Sequence, residues 1–199
     1  GTFNELNTKF NINSLNHTGV LVPNGLFKND LEYKEKVHAF YAQYGNKIQK
    51  LSYMVGLRWE ATEIDVNQLT TMDFNNKKYN NFFPSAFLTY EFVDGENVSA
   101  SYSRRVRRPR GRMLNPISHY SSSINFFMGN PDLNPSFTDA LDFGYMKRWS
   151  QVTLNASVYY NKTNDATQFV RRVDGVNEEG IPITISGPIN LATEHRYGL

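Results

Sequence analysis

The stretch that decides the fold runs from Val98 to Tyr145. It opens "VSASYSRRVRRPRGRMLNP" and closes "GNPDLNPSFTDALDFGY". Its first residues alternate between apolar and polar and then pass into a cluster of arginines. About thirty mostly polar residues follow before alternation resumes after Pro135. A compact soluble domain seldom separates two strands by so long a loop, whereas an outer-membrane barrel combines short turns at one rim with long loops at the other.

The same period of two residues, which predicts β-strands, recurs along the chain. One face of each segment is apolar and aromatic, and the other is mostly small or polar: Leu51–Thr62, Phe82–Phe92, Val98–Ser103, Leu141–Tyr145 and Val152–Asn161. The segment Glu35–Tyr44 is also strand-like, but both of its faces contain apolar residues. We expect Val37, Ala39 and Tyr41 to face outward there.

Short and long connections alternate between these segments. Tight turns are predicted at Gly45–Lys47, Asp94–Asn97 and Arg148–Gln151, and long connections at about 63–81, 104–137 and 162–188. Strands of about ten residues have the length that a tilted membrane crossing needs. A soluble β-sandwich also alternates, but the long connections on one side and the small, uncharged polar face favour a barrel.

Composition narrows the class of protein further. The chain has 199 residues, a formal net charge of +2 and no cysteine, so disulfides and thiolate chemistry are impossible. The chain contains no run of eighteen apolar residues, so no transmembrane helix is predicted. No signal peptide is visible at Gly1, which suggests either a cytosolic protein or a fragment. The balanced charge gives no general argument for binding nucleic acid.

Four motifs, in order, resemble TonB-dependent outer-membrane receptors of the Bacteroidota type. They are "NDLEYKEKVHAFYAQY" (Asn29–Tyr44) followed by "LSYMVGLRWEAT", "SASYSRRVRRP" (Ser99–Pro109) with "LNP", "GNPDLNPSFTDALDFGY" (Gly129–Tyr145) and "NLATEHRYGL" (Asn190–Leu199). The resemblance implies an all-β, antiparallel transmembrane barrel in the cell outer membrane. It also implies roughly 22 strands around a plugged lumen.

We therefore expect residues 1–199 to form about seven to eight strands of one larger barrel domain, with the plug domain absent from this chain. A complete eight-stranded barrel is the alternative. The partners implied by the resemblance are outer-membrane lipid, the rest of the barrel, a plug, the TonB complex through that plug, and an unknown small ligand. The expected function is energised nutrient uptake, and the alternatives are a non-transporting structural or assembly-related barrel and a soluble carbohydrate-binding β-sandwich.

The arginine cluster and the loop after it are the candidate ligand site. Arginine suits carboxylate and phosphate recognition, and the candidate residues are Arg107, Arg108, Arg110, Arg112, His119 and Tyr120. A structural role in pairing with acidic loops, a plug or lipopolysaccharide is the alternative. Polar residues expected to face the lumen are Arg58, Glu60, Glu91 and Arg105.

Other chemistry finds little support in the sequence. No histidine pair has the close spacing of a metal site, and no nucleophile accompanies the carboxylates in a catalytic pattern. We expect no enzyme activity, catalytic residue, metal, cofactor or nucleic-acid partner. The motif Gly129–Pro135 is expected to end the long loop and set the register of the next strand.

Overall fold

The computed structural model describes residues 2–10, 13–15, 21–23, 29–116, 119–122 and 124–199, with backbone only for 3–10, 13–15, 21–23, 29 and 119–122. The strands are β1 (Thr2–Phe10), β2 (Asn13–Leu15), β3 (Leu21–Pro23), β4 (Asn29–Ile48), β5 (Leu51–Gln68), β6 (Asp73–Val93), β7 (Glu96–Arg107), β8 (His119–Ser122), β9 (Asn125–Phe127), β10 (Ser136–Arg148), β11 (Thr153–Asn164), β12 (Thr167–Val176), β13 (Pro182–Asn190) and β14 (Thr193–Gly198). One short helix, α1 (Gly111–Leu114), follows β7.

Eight of these strands form one antiparallel wall in the order β1-β4-β5-β6-β7-β10-β11-β14. Among the described residues, β1 and β14 lie at the two edges of this wall. A second sheet, in the order β12-β13-β9-β8, lies in the long connections and is called the cap sheet below. The architecture is therefore a barrel wall with added loop structure, and the β-sandwich alternative is wrong.

The register defines two faces, because directly paired residues of antiparallel strands point to the same side. The outer face carries Leu57 and Trp59, which pair with Pro84 and Phe82 of β6. The inner face carries Arg58, Glu60 and Thr62. On the outer face near the short turns, large apolar side chains are exposed one after another: Val55, Leu57, Leu88, Tyr90, Phe92, Val98, Leu141, Phe143, Leu154 and Val158. Water would disfavour such a surface and a hydrocarbon layer would favour it.

A row of aromatic residues ends this apolar surface on strands β4 to β6. Phe40 pairs with Trp59, and Trp59 pairs with Phe82. The rings of Phe40 and Trp59 are stacked with centroids 5.9 Å apart. Aromatic residues mark the two interfaces of membrane barrels. We call the outer face from this row to the short turns the membrane band.

Beyond the aromatic row the polarity of both faces is reversed. The outer face becomes charged, with Lys36 paired to Glu63 and Glu63 paired to Lys78. The inner face becomes apolar, and its buried core consists of Leu31, Tyr33, Ile64, Val66, Leu114 and Leu133. We call this part of the wall, residues 29–38, 60–68 and 73–81, the upper extension.

The reversal explains an error in the sequence-based face assignment. Val37, Ala39 and Tyr41 pair with Thr62, Glu60 and Arg58, so all three lie on the inner face, and Val37 is buried. The expectation that they face outward was wrong. Both faces of this segment contain apolar residues because the strand is lipid-facing in one half and core-facing in the other.

The predicted long connection at 63–81 is also wrong. Strands β5 and β6 continue as a paired hairpin to a turn at 69–72. β4, β5 and β6 have 20, 18 and 21 residues, which is about 60–70 Å of strand. A tilted crossing uses only about ten residues, so the rest of each strand projects beyond the membrane.

The short turns lie close to where they were predicted. The turn at Asp94–Gly95 is confirmed, and the third lies at 149–152. The first turn is at Gln49–Lys50, not at Gly45–Lys47, because β4 pairs with β5 through Ile48. The predicted connection at 162–188 contains most of β12 and β13. No helix in the described part of the chain is both long enough and apolar enough to span a membrane.

Candidate functional site

The long connection after β7 folds back onto the inner face of the upper extension. Its two described ends, 108–116 and 128–135, are called the inner loop. Leu114 and Leu133 are 2% and 1% exposed and pack against Leu31, Ile64 and Val66 of β4 and β5. Burial of apolar side chains is favourable, so the apolar inner face of the extension holds the loop in place.

Arg108 anchors the first end of the inner loop. Its guanidinium hydrogen-bonds to Glu60, donates to the Thr62 hydroxyl at 3.1 Å and to the Tyr79 hydroxyl at 3.2 Å. Its Nε also lies 3.7 Å from Glu35 Oε1. Glu60 is only 6% exposed, and a buried carboxylate requires a partner. Arg108 therefore joins the loop to all three strands of the extension.

The motif Gly129–Pro135 forms the second end. The Gly129 N–H donates to Asn115 O at 2.8 Å, and the Asn130 N–H donates to Met113 O at 2.7 Å. A Cβ on Gly129 would lie 2.5 Å from Asn115 O, so only glycine permits this approach. The two ends of the loop are thus joined by backbone hydrogen bonds.

Lys77 of β6 fastens the same motif to the wall. Its Nζ donates to the carbonyls of Pro131 and Leu133, at 2.9 Å each. Burial lowers the pKa of Lys77 below its ordinary value, while the charge of Asp132 opposes that shift. The Asp132 N–H donates to Asn130 Oδ1 at 2.9 Å, a local hydrogen bond within the motif.

Asn190 of β13 closes the motif from the other side. Its Oδ1 accepts from the Asn134 N–H at 2.8 Å, and its Nδ2 donates to Asn134 O at 3.1 Å and Asp165 O at 2.8 Å. Ser136, the first residue of β10, also donates to Asp165 O at 2.7 Å. These contacts hold the start of β10 in the position that its register requires.

The structure divides the predicted ligand residues. Arg108 is bonded to side chains of the upper extension, whereas Arg107 and Arg110 are exposed and have no ion pair among the described residues. Arg112 lies over the ring of Phe127, 4.8 Å from its centroid. The side chains of His119 and Tyr120 lie outside the described part. A ligand role for these residues stays a prediction.

The four residues predicted to face the lumen share the inner face by register but do not form one cluster. Arg58 Nε lies 2.5 Å from Glu60 Oε1, beside the Arg108 network. Glu91 pairs with Lys47 at 2.6 Å near the short turns. The Arg105 Nε donates to Ser103 Oγ at 3.2 Å. That this face lines a lumen stays a prediction.

Sequence reasoning missed a cleft between the inner loop and the cap sheet. Its volume is about 300 Å³, and it is lined by Pro131 of the inner loop and by Val170, Arg172 and Ile185 of the cap sheet, among others. The β-branched and aromatic residues in Thr167–Val176 are a signal that could have revealed the strand that lines it: Phe169, Val170, Val173 and Val176. Groups of acidic and histidine side chains suited to holding a metal ion do not occur in the described part of the chain.

Comparison with known structures identifies the same architecture. The hemophore receptor HasR of Serratia marcescens, solved with its hemophore HasA and heme, matches with a TM-score of 0.60 and 12% identity over 86% of this chain and 31% of that chain. The siderophore receptor PirA of Pseudomonas aeruginosa matches with a TM-score of 0.55 and 12% identity over 85% of this chain and 39% of that one.

A third structure is the ferric enterobactin receptor PfeA of Pseudomonas aeruginosa, in complex with enterobactin. It matches with a TM-score of 0.55 and 9% identity over 98% of this chain and 37% of that one. The chain thus spans less than two fifths of the length of each of these receptors. At these identities the likeness concerns the fold. No curated protein matches the sequence.

A family model supplies the assignment that these distant likenesses leave open. The model of the outer membrane protein beta-barrel family matches residues 1–199, the whole chain. This agrees with the exposed apolar surface of the wall and its aromatic row, and it places the protein in the cell outer membrane. The chain belongs to the outer membrane protein beta-barrel family.

Proposed function

We propose that this chain is part of a larger TonB-dependent receptor barrel and supplies wall strands and extracellular loops for energised uptake of a nutrient ligand. The receptors with similar folds bind a hemophore with heme or a siderophore. The chain spans about a third of their length, which supports a barrel larger than the eight strands described. A plug domain and contact with TonB are part of this proposal.

The observation that carries the proposal is the inward fold of the inner loop. Short turns of bacterial outer-membrane barrels lie on the periplasmic side and long loops on the extracellular side. The upper extension, inner loop and cap sheet are then extracellular. A loop tied to the inner face by Arg108, Leu114 and Leu133 would narrow the mouth of the barrel, which suits capture of a ligand before its passage.

The proposed role includes no covalent chemistry. The inner face of the wall at the membrane band is rich in small polar residues, among them Ser85, Ser99, Ser101 and Ser103. Such a surface suits contact with a plug or with water.

The transported nutrient is an unknown small ligand, and the experiment must therefore begin with a survey of nutrients.

The test is growth and uptake in a strain that lacks the gene. Growth of the deletion strain on single defined nutrients identifies the ligand, and uptake of that ligand is then measured with and without a protonophore. We expect loss of uptake in the deletion strain, and an equal loss in the complemented strain when the protonophore is added. Uptake that is insensitive to the protonophore would contradict energised import.

The non-transporting alternative predicts a different result. If the barrel is structural, deletion of its gene should leave growth on every nutrient unchanged. The deletion should instead increase the permeability of the outer membrane to detergents and large antibiotics. A gene that encodes no plug domain before this segment would also contradict the proposal.

A further inference from the structure

We propose that the cleft between the inner loop and the cap sheet is a binding site for a small apolar anion: an aromatic or branched aliphatic group that bears a carboxylate or similar oxyanion. This inference rests on the proposed function, because it assigns the ligand class to the extracellular side of the same receptor. It uses residues outside the arginine cluster that the sequence singles out.

The walls of the cleft are apolar on both sides. Pro116, Met128 and Pro131 line it from the inner loop, and Val170, Ile185 and Ile189 line it from the cap sheet. Its volume of about 300 Å³ is at the lower end of the range for small-molecule sites. The size and lining suit one ring system rather than a long chain or a polar sugar.

The two walls are held together by backbone contacts. The Met128 N–H donates to Ser186 O at 3.0 Å, which joins the inner loop to β13. Gly187 is the next residue of β13, and a Cβ there would collide with the carbonyl of Met128. Within the inner loop, the Gly129 N–H donates to Asn115 O and joins the two ends that form this wall. Gly187 thus lets the two walls approach each other, so the cleft is formed before any ligand binds.

One cation lies at the rim of the cleft. Arg172 pairs with Ile185 and therefore points to the cleft side of β12. It is exposed and has no ion pair among the described residues. A guanidinium recognises a planar oxyanion with two parallel hydrogen bonds. An apolar cavity with one unpaired arginine at its edge favours a ligand with an apolar body and one anionic end.

The neighbouring residue provides a matched control. Arg171 pairs with Ser186 and points to the opposite face of the cap sheet. It has the same chemistry, the same strand and similar exposure, but it does not line the cleft. Substitution of the two arginines therefore separates an effect of the cleft from a general effect of positive charge.

The experiment measures binding of 2-naphthoate and of its neutral analogue 2-naphthamide to the full-length protein in lipid nanodiscs. Equilibrium dialysis against empty nanodiscs corrects for partition into lipid. We expect Arg172→Gln to weaken naphthoate binding about tenfold, the effect of one lost charge-assisted interaction at a partly exposed site, and to leave naphthamide binding unchanged. Arg171→Gln should change neither.

A second variant tests the cavity rather than the charge. Val170→Trp should fill the cleft and abolish binding of both probes, and heat-modifiable gel migration verifies that the barrel is folded. The proposal is overturned if Arg172→Gln and Arg171→Gln weaken binding equally, if Val170→Trp retains binding, or if neither probe binds at millimolar concentration.

These outcomes are distinct from failure of the proposed function. Binding to nanodiscs needs no energy source, so a cleft that binds naphthoate through Arg172 stands even if uptake in cells proves insensitive to a protonophore. Conversely, energised uptake of a nutrient by a strain whose protein carries Val170→Trp would leave the transport proposal intact and remove the cleft from it.

Discussion

The membrane band and the upper extension belong to the same strands but have opposite polarity. In the band, β5 turns Val55 and Leu57 outward and Gly56 and Arg58 inward. In the extension, it turns Glu63 and Asp65 outward and Ile64 and Val66 inward. Period two is kept throughout, so the backbone is the same in both regions. What differs is the medium on each side.

The comparison shows that alternation specifies a strand without specifying which face is buried. Hydrocarbon outside the wall favours an apolar outer face, whereas water outside it favours a charged one. The apolar inner face of the extension then needs a cover, and the inner loop supplies it. The predictions below test this difference, beginning with the largest expected effect.

The largest effect is expected at the core of the extension. Leu133→Ala should reduce the free energy of unfolding by about 4 kcal/mol, because it removes a fully buried side chain and leaves a cavity. Urea titration of the protein in lipid vesicles, followed by tryptophan fluorescence, measures the change. Leu69→Ala is the control, since Leu69 is 45% exposed at the turn of the extension. Equal effects of both substitutions would show that the inner loop is not packed as described.

The second effect is expected at the ion network. Arg108→Gln should reduce the free energy of unfolding by about 3 kcal/mol, because Glu60 would lose its main partner while remaining buried. Limited proteolysis should then cleave the inner loop faster than in the unaltered protein. Arg107→Gln, one residue away and exposed, should leave the cleavage rate unchanged. The assignment of Arg108 as the anchor is contradicted if the two variants are cleaved alike.

The third effect is expected in the membrane band. Val55→Arg should cost about 2–3 kcal/mol of folding free energy in lipid, since Val55 lies well inside the band. Leu57→Arg, two residues from Trp59, should cost less because it is nearer the interface. Asn80→Arg, on the outer face beyond the aromatic row, should have no measurable cost. A penalty at Asn80 equal to that at Val55 would move the boundary of the membrane.

The smallest effect is expected on the charged outer face of the extension. Lys78 forms an ion pair with Glu63 at 2.6 Å, and both side chains are accessible to water. Hydrogen bonding and the charge of Lys78 lower the pKa of Glu63, but solvent screens such pairs. Lys78→Gln should therefore leave the urea midpoint in vesicles unchanged. A clear loss of stability would mean that this face is covered and not in water.

The strands of the wall were largely predictable from the sequence. Phe82–Phe92, Val98–Ser103 and, apart from Val152 in the turn, Val152–Asn161 lie in strands with the predicted faces, because lipid and the inner side impose a clear two-residue pattern. The segment 63–81 was missed as a strand because its apolar residues, such as Ile64 and Val66, face inward. The apolar residues change from one face of the strand to the other at this point, so the two-residue pattern that predicts a strand is interrupted.

The candidate site was less predictable. The arginine cluster is conspicuous in the sequence, yet nothing local distinguishes Arg108 from Arg107. Arg108 differs only because Glu60, Thr62 and Tyr79 lie opposite it, and those residues are some thirty to fifty positions away in the chain. The cleft likewise joins residues of two separate connections.

The sequence by itself determined the alternation of the strands, the short turns and the apolar and aromatic surface that indicates an outer-membrane barrel. These are local properties, since each strand meets lipid on its own. Only the tertiary structure decided that the polarity of the wall reverses beyond Trp59, that the inner loop folds inward, and that Arg172 meets an apolar cleft. These features depend on which distant segments cover one another, and burial by a distant segment leaves no periodic signature in the chain.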